Sequence, residues 1–197
     1  MIGCYITDRQ SLPVGESLLE AVSRNLAAGP DWIQIRDKDL SARELFALVR
    51  AVFDLPNPRG VKFLVNSRVD VALALGAHGA HLPSHSPPAY LWRAIVPPGF
   101  LIGVSCHSSG EVREAEHEGA DYVLLGPVFP PLSKAPDRPP LGLSEFARAA
   151  ESARIPILAL GGITPANAEA CAAAGASGIA GISMYQQRRS SGFRYPE

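Results

Sequence analysis

The chain has 197 residues, 47% of them hydrophobic and 19% charged, and its formal net charge is -1. This composition predicts one globular domain with a sizeable core and excludes a disordered chain. Basic and acidic residues are mixed along the chain, and no apolar run reaches the roughly 20 residues of a membrane-spanning helix. We therefore expect no nucleic acid and no membrane as partner, and the lack of a leader before the first apolar run predicts a cytoplasmic location.

Short apolar runs rich in Val, Ile and Leu recur along the chain and predict eight β-strands. The runs are mostly continuous rather than alternating, as expected for parallel strands that are buried on both faces. They cover residues 3–7, 31–36, 61–66, 79–82, 101–106, 121–126, 156–161 and 178–183.

Segments with helical spacing of apolar residues separate these runs. Several are predicted to begin at a capping serine and to end at a glycine. The capping residues are Ser41, Ser109 and Ser144, and the glycines are Gly29, Gly76, Gly119 and Gly175.

Strand and helix alternate throughout, which predicts an α/β fold: a compact TIM (β/α)8 barrel with a short or missing last helix. An open doubly wound sheet is the competitor, but the first strand is not followed by G-x-G-x-x-G. We expect a single barrel domain over residues 1–184. Residues 185–197 lack helical periodicity, and two alternatives stay open for them: a disordered tail, or a segment that packs on a second subunit of a homo-oligomer.

Polar residues follow the apolar runs, at the barrel end where such folds place their sites. The strongest pattern is QIRDKD, in which Gln34, Arg36 and Lys38 alternate and project to one side of an extended strand. The cations suit a phosphate or diphosphate. The alternative is that Arg36 and Lys38 are solvated or paired with Asp37 and Asp39.

Two loops are further candidates for anion binding. Gly161 and Gly162 end one strand, and a helix predicted to begin near Pro165 would offer free backbone N–H groups to a phosphate. The long proline-rich loop 126–142 carries Ser133 and Lys134, and a connection of this length is typical of a lid or a binding loop.

Histidine and cysteine side chains near the strand ends are expected to be mainly structural. His81, His85 and His107 lack the accompanying carboxylates of a metal site, although one of them could act as a general acid or base. Cys106 is expected to pack as a buried thiol, with a nucleophilic role as the alternative. Asp70 is expected to be solvated or paired with Arg68.

Six motifs in order, QIRDKD, VNSRVDVALALGAHGAHL, IGVSCHS, GADYVLLGPVFP, LALGGITPAN and SGIAGIS, resemble the thiamine phosphate synthase and TenI family over residues 3–184. The resemblance implies a TIM barrel that joins an aminopyrimidine diphosphate to a thiazole phosphate, with loss of Mg²⁺-bound pyrophosphate. It implies small phosphorylated substrates and assigns roles by motif. Gln34, Arg36, Lys38 and Asn66 would surround the pyrimidine and diphosphate, Ser105 the pyrophosphate, Ser133 and Lys134 the closing loop, and Gly162, Ile182 and Ser183 the thiazole phosphate.

The motifs also depart from the family pattern. Synthases usually have aspartate, a Mg²⁺ ligand, where this chain has Ser67, and a second acidic residue where it has Ser86. A magnesium site commonly needs one or two carboxylates. Three hypotheses therefore stay open: a synthase, a TenI-like thiazole tautomerase that needs no metal and uses His85 or His107 as its base, and a phosphate-binding barrel without catalysis.

Overall fold

Eight parallel strands close into a barrel in the structure, a computed structural model that describes residues 1–130 and 138–187. Each strand pairs with the next along the chain, and β8 pairs with β1 to close the sheet. The predicted TIM barrel is confirmed. The strands are β1 Ile2–Ile6, β2 Trp32–Ile35, β3 Lys62–Asn66, β4 Gly79–Leu82, β5 Leu101–Cys106, β6 Tyr122–Leu125, β7 Ile157–Leu160 and β8 Gly178–Gly181.

A helix follows every strand. The helices are α1 Leu18–Ala28, α2 Ala42–Phe53, α3 Val69–Ala74, α4 Ala89–Arg93, α5 Ser109–His117, α6 Gly142–Ser152, α7 Ala168–Ala173 and α8 Ser183–Gln186, with a 3-10 turn at Arg9–Ser11 before α1. The last helix has only four residues, which agrees with the short helix predicted there. None of the described helices is long and apolar enough to span a membrane.

The helix caps were predicted only in part. Ser41 caps α2 with a reciprocal bond from Glu44, as expected. Ser109 was wrong as a cap, because Ser108 has the extended backbone of a cap and accepts a hydrogen bond from the Glu111 amide. Ser144 was also wrong, because α6 starts two residues earlier, at Gly142. The four predicted terminal glycines all have left-handed φ angles, between 68° and 90°.

Side chains alternate between the barrel interior and the layer under the helices. Interior positions are taken by a separate cluster of buried side chains: Cys4, Ile6, Trp32, Leu64, Tyr122, Leu124, Leu158 and Ala180. The outward positions join the apolar faces of the helices in one larger core. Because Gln34, Asn66, His81 and Ser105 occupy inward positions toward the carboxyl ends of their strands, that end is where a ligand can meet them.

The C-terminal helix is fastened to the first βα loop. The side chain of Gln186 accepts hydrogen bonds from the Tyr5 hydroxyl at 3.2 Å and the Asp8 amide at 2.8 Å. It donates to the Asp8 carbonyl at 2.9 Å and the Ser11 hydroxyl at 3.0 Å. The domain boundary expected at residue 184 therefore falls inside α8, and Tyr185 and Gln186 are part of the barrel. The tail expected beyond them lies mostly outside the described residues.

Candidate active site at the carboxyl ends of the strands

Four polar side chains from adjacent strands face the barrel axis near its carboxyl end. Gln34 is on β2, Asn66 on β3, His81 on β4 and Ser105 on β5, and these strands pair consecutively. Asn66 is in register with His81. The sequence predicted Gln34, Asn66 and Ser105 as ligand-facing residues, and the fold brings all three to one end of the barrel.

Arg9 pairs with the two aspartates that follow β2. Its guanidinium binds Asp37 at 2.7 Å and Asp39 at 2.8 Å. The sequence left open whether Arg36 pairs with Asp37 or Asp39. In the structure both carboxylates are bound by Arg9 instead. Among residues 1–130 and 138–187, no carboxylate pairs with Arg36. Sequence reasoning missed Arg9, because it lies 28 residues before Asp37 and only the pairing of β1 with β2 brings them together.

Thr7 and Asp37 complete the support of this strand end. The Thr7 hydroxyl accepts a hydrogen bond from the Arg36 backbone amide at 2.9 Å and lies 3.5 Å from the Asp37 carboxylate. Burial raises the pKa of Asp37 above its ordinary value, although the hydrogen bond from Arg9 acts in the opposite direction. The backbone that carries Arg36 is thus held in place by buried polar contacts.

The Gln34 amide is buried inside the barrel, with only 1% of the residue exposed. It faces the Tyr122 hydroxyl and acts to lower the pKa of that phenol, but among the described residues its Nε2 atom has no partner within ordinary hydrogen-bonding distance. A buried polar group normally has a partner. Nε2 of Gln34 is therefore a donor available to a ligand.

The residues at the expected magnesium positions do not fit that ion. The Ser67 hydroxyl accepts a hydrogen bond from the Asn66 side chain at 2.8 Å, and the Ser86 hydroxyl donates to the Pro87 carbonyl at 3.2 Å. Both oxygens of Asp70 are bound by Arg68, at 2.8 and 2.5 Å, which agrees with the predicted pairing. In the described part of the chain, no three or more His, Cys, Asp or Glu side chains are grouped to hold a metal ion.

The three candidate histidines have different surroundings. His81 is 1% exposed and bonds to Tyr122 and Ser105 inside the barrel. His107 donates through Nδ1 to the Gly126 carbonyl at 2.6 Å, since a carbonyl can only accept. His85 is exposed in the loop after β4. The neighbouring Cys106 is buried, and burial raises its pKa to about 12, which favours packing over the nucleophilic alternative.

The loops after β6 and β7 approach each other closely at Gly162. Its φ is 62°, and a Cβ there would lie 2.5 Å from the Pro130 carbonyl oxygen, so only glycine fits. The prediction that the next helix begins near Pro165 was wrong, because α7 begins at Ala168. Asn167 instead closes a turn, accepting from the Thr164 amide and donating to the Gly162 carbonyl.

Ile182 and Ser183 follow β8 directly and are half-buried at the same end of the barrel as Gly162. Lys38 is exposed after β2. Ser133 and Lys134 lie outside the described residues, so their predicted place in a closing loop stays a prediction.

Fold and site together define an α/β-barrel protein with polar and cationic groups collected at the carboxyl ends of its strands. The thiamine monophosphate synthase family model matches residues 4–185, and the chain belongs to that family.

Named relatives agree with this assignment. The thiamine-phosphate synthase of Roseiflexus castenholzii is 42% identical over 90% of this chain and 78% of its own length. That of Moorella thermoacetica is 40% identical over 91% of this chain and 85% of its own length. The solved thiamine phosphate pyrophosphorylase of Pyrococcus furiosus superposes with a TM-score of 0.80 at 36% identity, covering 92% of this chain and 85% of that chain.

Proposed function

We propose that this chain is a thiamine-phosphate synthase, a transferase that joins an aminopyrimidine diphosphate to a thiazole phosphate and releases pyrophosphate. Family membership supports the reaction class. Within the site, the proposal rests mainly on Arg36 at the end of β2. Asp37 and Asp39, the nearby carboxylates in the sequence, are bound by Arg9. Arg36, which pairs with no carboxylate of the described residues, is suited to bind the diphosphate of a substrate.

The reaction breaks one bond and forms another. The C–O bond between the pyrimidine methylene and the diphosphate breaks, and its electron pair leaves with pyrophosphate. The thiazole nitrogen then donates its lone pair to the resulting cation and forms the new C–N bond. The main task of the protein is therefore to stabilise negative charge on the leaving group and to hold the two rings together.

The residues divide accordingly. Arg36 and Lys38 stabilise the departing pyrophosphate, and Ser105 donates a hydrogen bond to it. Gln34 and Asn66 orient the pyrimidine through their amides, and the unused Nε2 donor of Gln34 supports this role. Gly162, Ile182 and Ser183 hold the phosphate of the thiazole. Ser133 and Lys134 keep their predicted role in closing the site.

The expected magnesium positions carry no carboxylate. Ser67 and Ser86 offer neutral hydroxyls that already have hydrogen-bond partners, and Asp70 is bound by Arg68. A hard dication prefers carboxylate, phosphate and water oxygens. The described residues therefore do not supply the carboxylate pair that the family resemblance implies.

A thiazole tautomerase is the second candidate. That reaction involves no diphosphate and no metal ion, so serines in place of carboxylates at positions 67 and 86 would not impair it. In that case His107 presents Nε2 as its basic nitrogen, since Nδ1 carries the proton donated to Gly126. Aromatisation of a non-aromatic thiazole phosphate without pyrimidine diphosphate would identify this activity. A barrel that binds thiazole phosphate and catalyses neither reaction is the remaining alternative.

The proposed function also implies a cellular location and a class of binding partners. We place the enzyme in the cytoplasm with small phosphorylated substrates as its partners. Cys4, Cys106 and Cys171 are all buried and free, which suits a reducing compartment.

Substitution of Arg36 tests the role of this side chain. We expect Arg36→Ala to lower kcat/KM for the pyrimidine diphosphate by about 10²-fold or more, the usual effect of removing one donor to a developing anion. Arg50→Ala is the matched control, since Arg50 is exposed on α2. Steady-state release of pyrophosphate gives the measurement. Equal rates for both variants would contradict the assignment.

A further inference from the structure

Three polar side chains form a continuous hydrogen-bonded chain inside the barrel. Nδ1 of His81 lies 3.1 Å from the Tyr122 hydroxyl, and Nε2 lies 2.8 Å from the Ser105 hydroxyl. Tyr122 and His81 are each 1% exposed, whereas Ser105 is half-buried at the carboxyl end of β5. The chain therefore runs from the dry interior to the rim of the site.

The absence of a side chain at Gly103 gives the Tyr122 ring room to reach His81. His81, Gly103 and Tyr122 are in register on β4, β5 and β6. A Cβ at Gly103 would lie 2.0 Å from Cζ of Tyr122. The phenol ring therefore lies over Gly103, in the space that a side chain at that position would fill. Trp32 packs on the same ring in a tilted arrangement, with centroids 4.8 Å apart. The space above Gly103 and the contact with Trp32 thus fix the ring whose hydroxyl meets His81.

The direction of the two hydrogen bonds follows from the available protons. Burial raises the pKa of Tyr122 well above its ordinary value, so the phenol keeps its proton. Burial, together with the positive charge of Arg36, lowers the pKa of His81 to about 3, so the ring is neutral and has one N–H. Within the described residues, His81 is the only hydrogen-bond partner of the Tyr122 hydroxyl that can accept its proton, since the nearby Gln34 amide lowers the Tyr122 pKa and so acts as a donor.

Only one tautomer gives each buried proton an acceptor. If Tyr122 donates to Nδ1, the ring carries its proton on Nε2 and donates it to the Ser105 oxygen. The proton of Ser105 is then not used inside the barrel. In the reverse tautomer, Ser105 would donate inward to Nε2, and the Tyr122 proton would be left buried without an acceptor among residues 1–130 and 138–187.

We propose that His81 is a positioning residue: Tyr122 fixes its Nε2–H tautomer, and His81 in turn makes the Ser105 hydroxyl a donor to the anionic leaving group. The inference rests on the proposed function for the identity of that anion. A purely structural role for His81, in which it only fills space and satisfies Tyr122, predicts no coupling to Ser105. The two accounts therefore differ in a measurable quantity.

A double-mutant cycle measures the coupling between His81 and Ser105. We expect Ser105→Ala and His81→Leu each to lower kcat for thiamine phosphate formation by about tenfold, equivalent to about 1.4 kcal/mol. The KM for thiazole phosphate should not change. The double variant should be no slower than Ser105→Ala alone, because His81 acts through Ser105. Multiplied losses in the double variant would overturn the proposal.

Conservative variants separate positioning from loss of packing. His81→Gln keeps an N–H donor near the position of Nε2 and should recover most of the activity that His81→Leu loses. Tyr122→Phe keeps the ring against Trp32 but removes the group that fixes the tautomer, so we expect an intermediate kcat. His117→Gln, an exposed site on α5, is the matched control. Equal activity of His81→Gln and His81→Leu would count against the proposal.

The tautomer can be read without any substrate. In protein labelled with ¹⁵N-histidine, the signal lost in His81→Gln identifies His81, and its nitrogen shifts report which nitrogen bears the proton. The proposal requires Nε2–H at neutral pH, and Nδ1–H or a doubly protonated ring would overturn it. A protein with Nε2–H but no synthase turnover would instead refute the proposed function.

Discussion

Ser67 has an unusual backbone conformation at the point where the family resemblance implies a metal ligand. Its φ is 63°, and it is the only described residue other than glycine with positive φ. Aspartate and asparagine tolerate this region better than most residues. The backbone at Ser67 therefore has a conformation that would also suit aspartate.

This conformation leads to a prediction about magnesium. We expect the double variant Ser67→Asp, Ser86→Asp to reach half-maximal synthase activity at about tenfold lower Mg²⁺, since two carboxylates would strengthen the site by about 1.4 kcal/mol or more. Titration of Mg²⁺ at fixed substrate gives the result. Ser84→Asp adds a similar charge at an exposed position in the same loop and is the control. An equal effect of Ser84→Asp would point to general electrostatics instead.

His81 also predicts how stability depends on pH. Its pKa falls from 6.5 to about 3 on folding, mainly through burial and further through Arg36. Between these values the unfolded chain binds the proton more readily, so acid lowers the free energy of unfolding; above about pH 6.5 the linkage vanishes. Tyr122 and Ser105, the other facing groups, do not titrate in this window.

Comparison with a non-titrating variant isolates this contribution. Between about pH 7.5 and pH 5.5, the free energy of unfolding of the unmodified protein should fall by about 1 kcal/mol more than that of His81→Gln. Urea unfolding at both pH values gives the difference, and carboxylates common to both proteins cancel. Identical pH dependence would mean that His81 is not held neutral by the fold.

Some of these residue-scale features could be read from the sequence, and others could not. The alternation of Gln34 with its apolar neighbours predicted an inward amide correctly, because strand geometry alone fixes the side. The partners of Asp37 and His81 could not be predicted, because Arg9, Tyr122 and Ser105 reach them only across strand pairs. One signal in the sequence could have indicated that His81 faces the barrel interior. His81 alternates along β4 with Gly79, so the two residues lie on the same side of the strand.

At the scale of elements, α8 is held by hydrogen bonds as well as by Tyr185, which stacks on Tyr5 with ring centroids 5.4 Å apart. One bond links Gln186 to Tyr5 on β1 and three link it to the first βα loop, and Arg24 on α1 also donates to the carbonyl oxygens of Tyr185 and Gln186. Such a helix has no periodic pattern in the sequence. This explains why the strands and longer helices were predicted well, whereas the domain boundary was placed two residues before the end of α8.

Neighbouring glutamines provide a direct test of this attachment. We expect Gln186→Ala to lower the free energy of unfolding by about 1–3 kcal/mol or more, because the Tyr5 hydroxyl and the Asp8 amide lose their buried partner. Gln187→Ala removes a comparable side chain from an exposed position and should change it by less than about 0.5 kcal/mol. Urea unfolding of both variants decides the point; equal effects would show that the bonds to Gln186 contribute little.

At the scale of the whole molecule, barrel closure converts separate sequence motifs into one site. Gln34, Asn66, His81 and Ser105 are spread over 72 residues, from Gln34 to Ser105, yet lie on four consecutive strands. Continuous apolar runs and their alternation with helices were sufficient to predict this topology. The reaction was harder to predict, since the same fold accommodates a synthase, a tautomerase or a binding protein, and only the chemistry of the rim separates them.

The central claim is that this rim carries out the synthase reaction despite Ser67 and Ser86. The most direct measurement is to incubate the purified protein with aminopyrimidine diphosphate, thiazole phosphate and Mg²⁺, and to quantify thiamine phosphate and pyrophosphate over time. We predict that both products form in equal amounts, at a rate that Arg36→Ala reduces. Binding of thiazole phosphate without any thiamine phosphate formed would contradict the account.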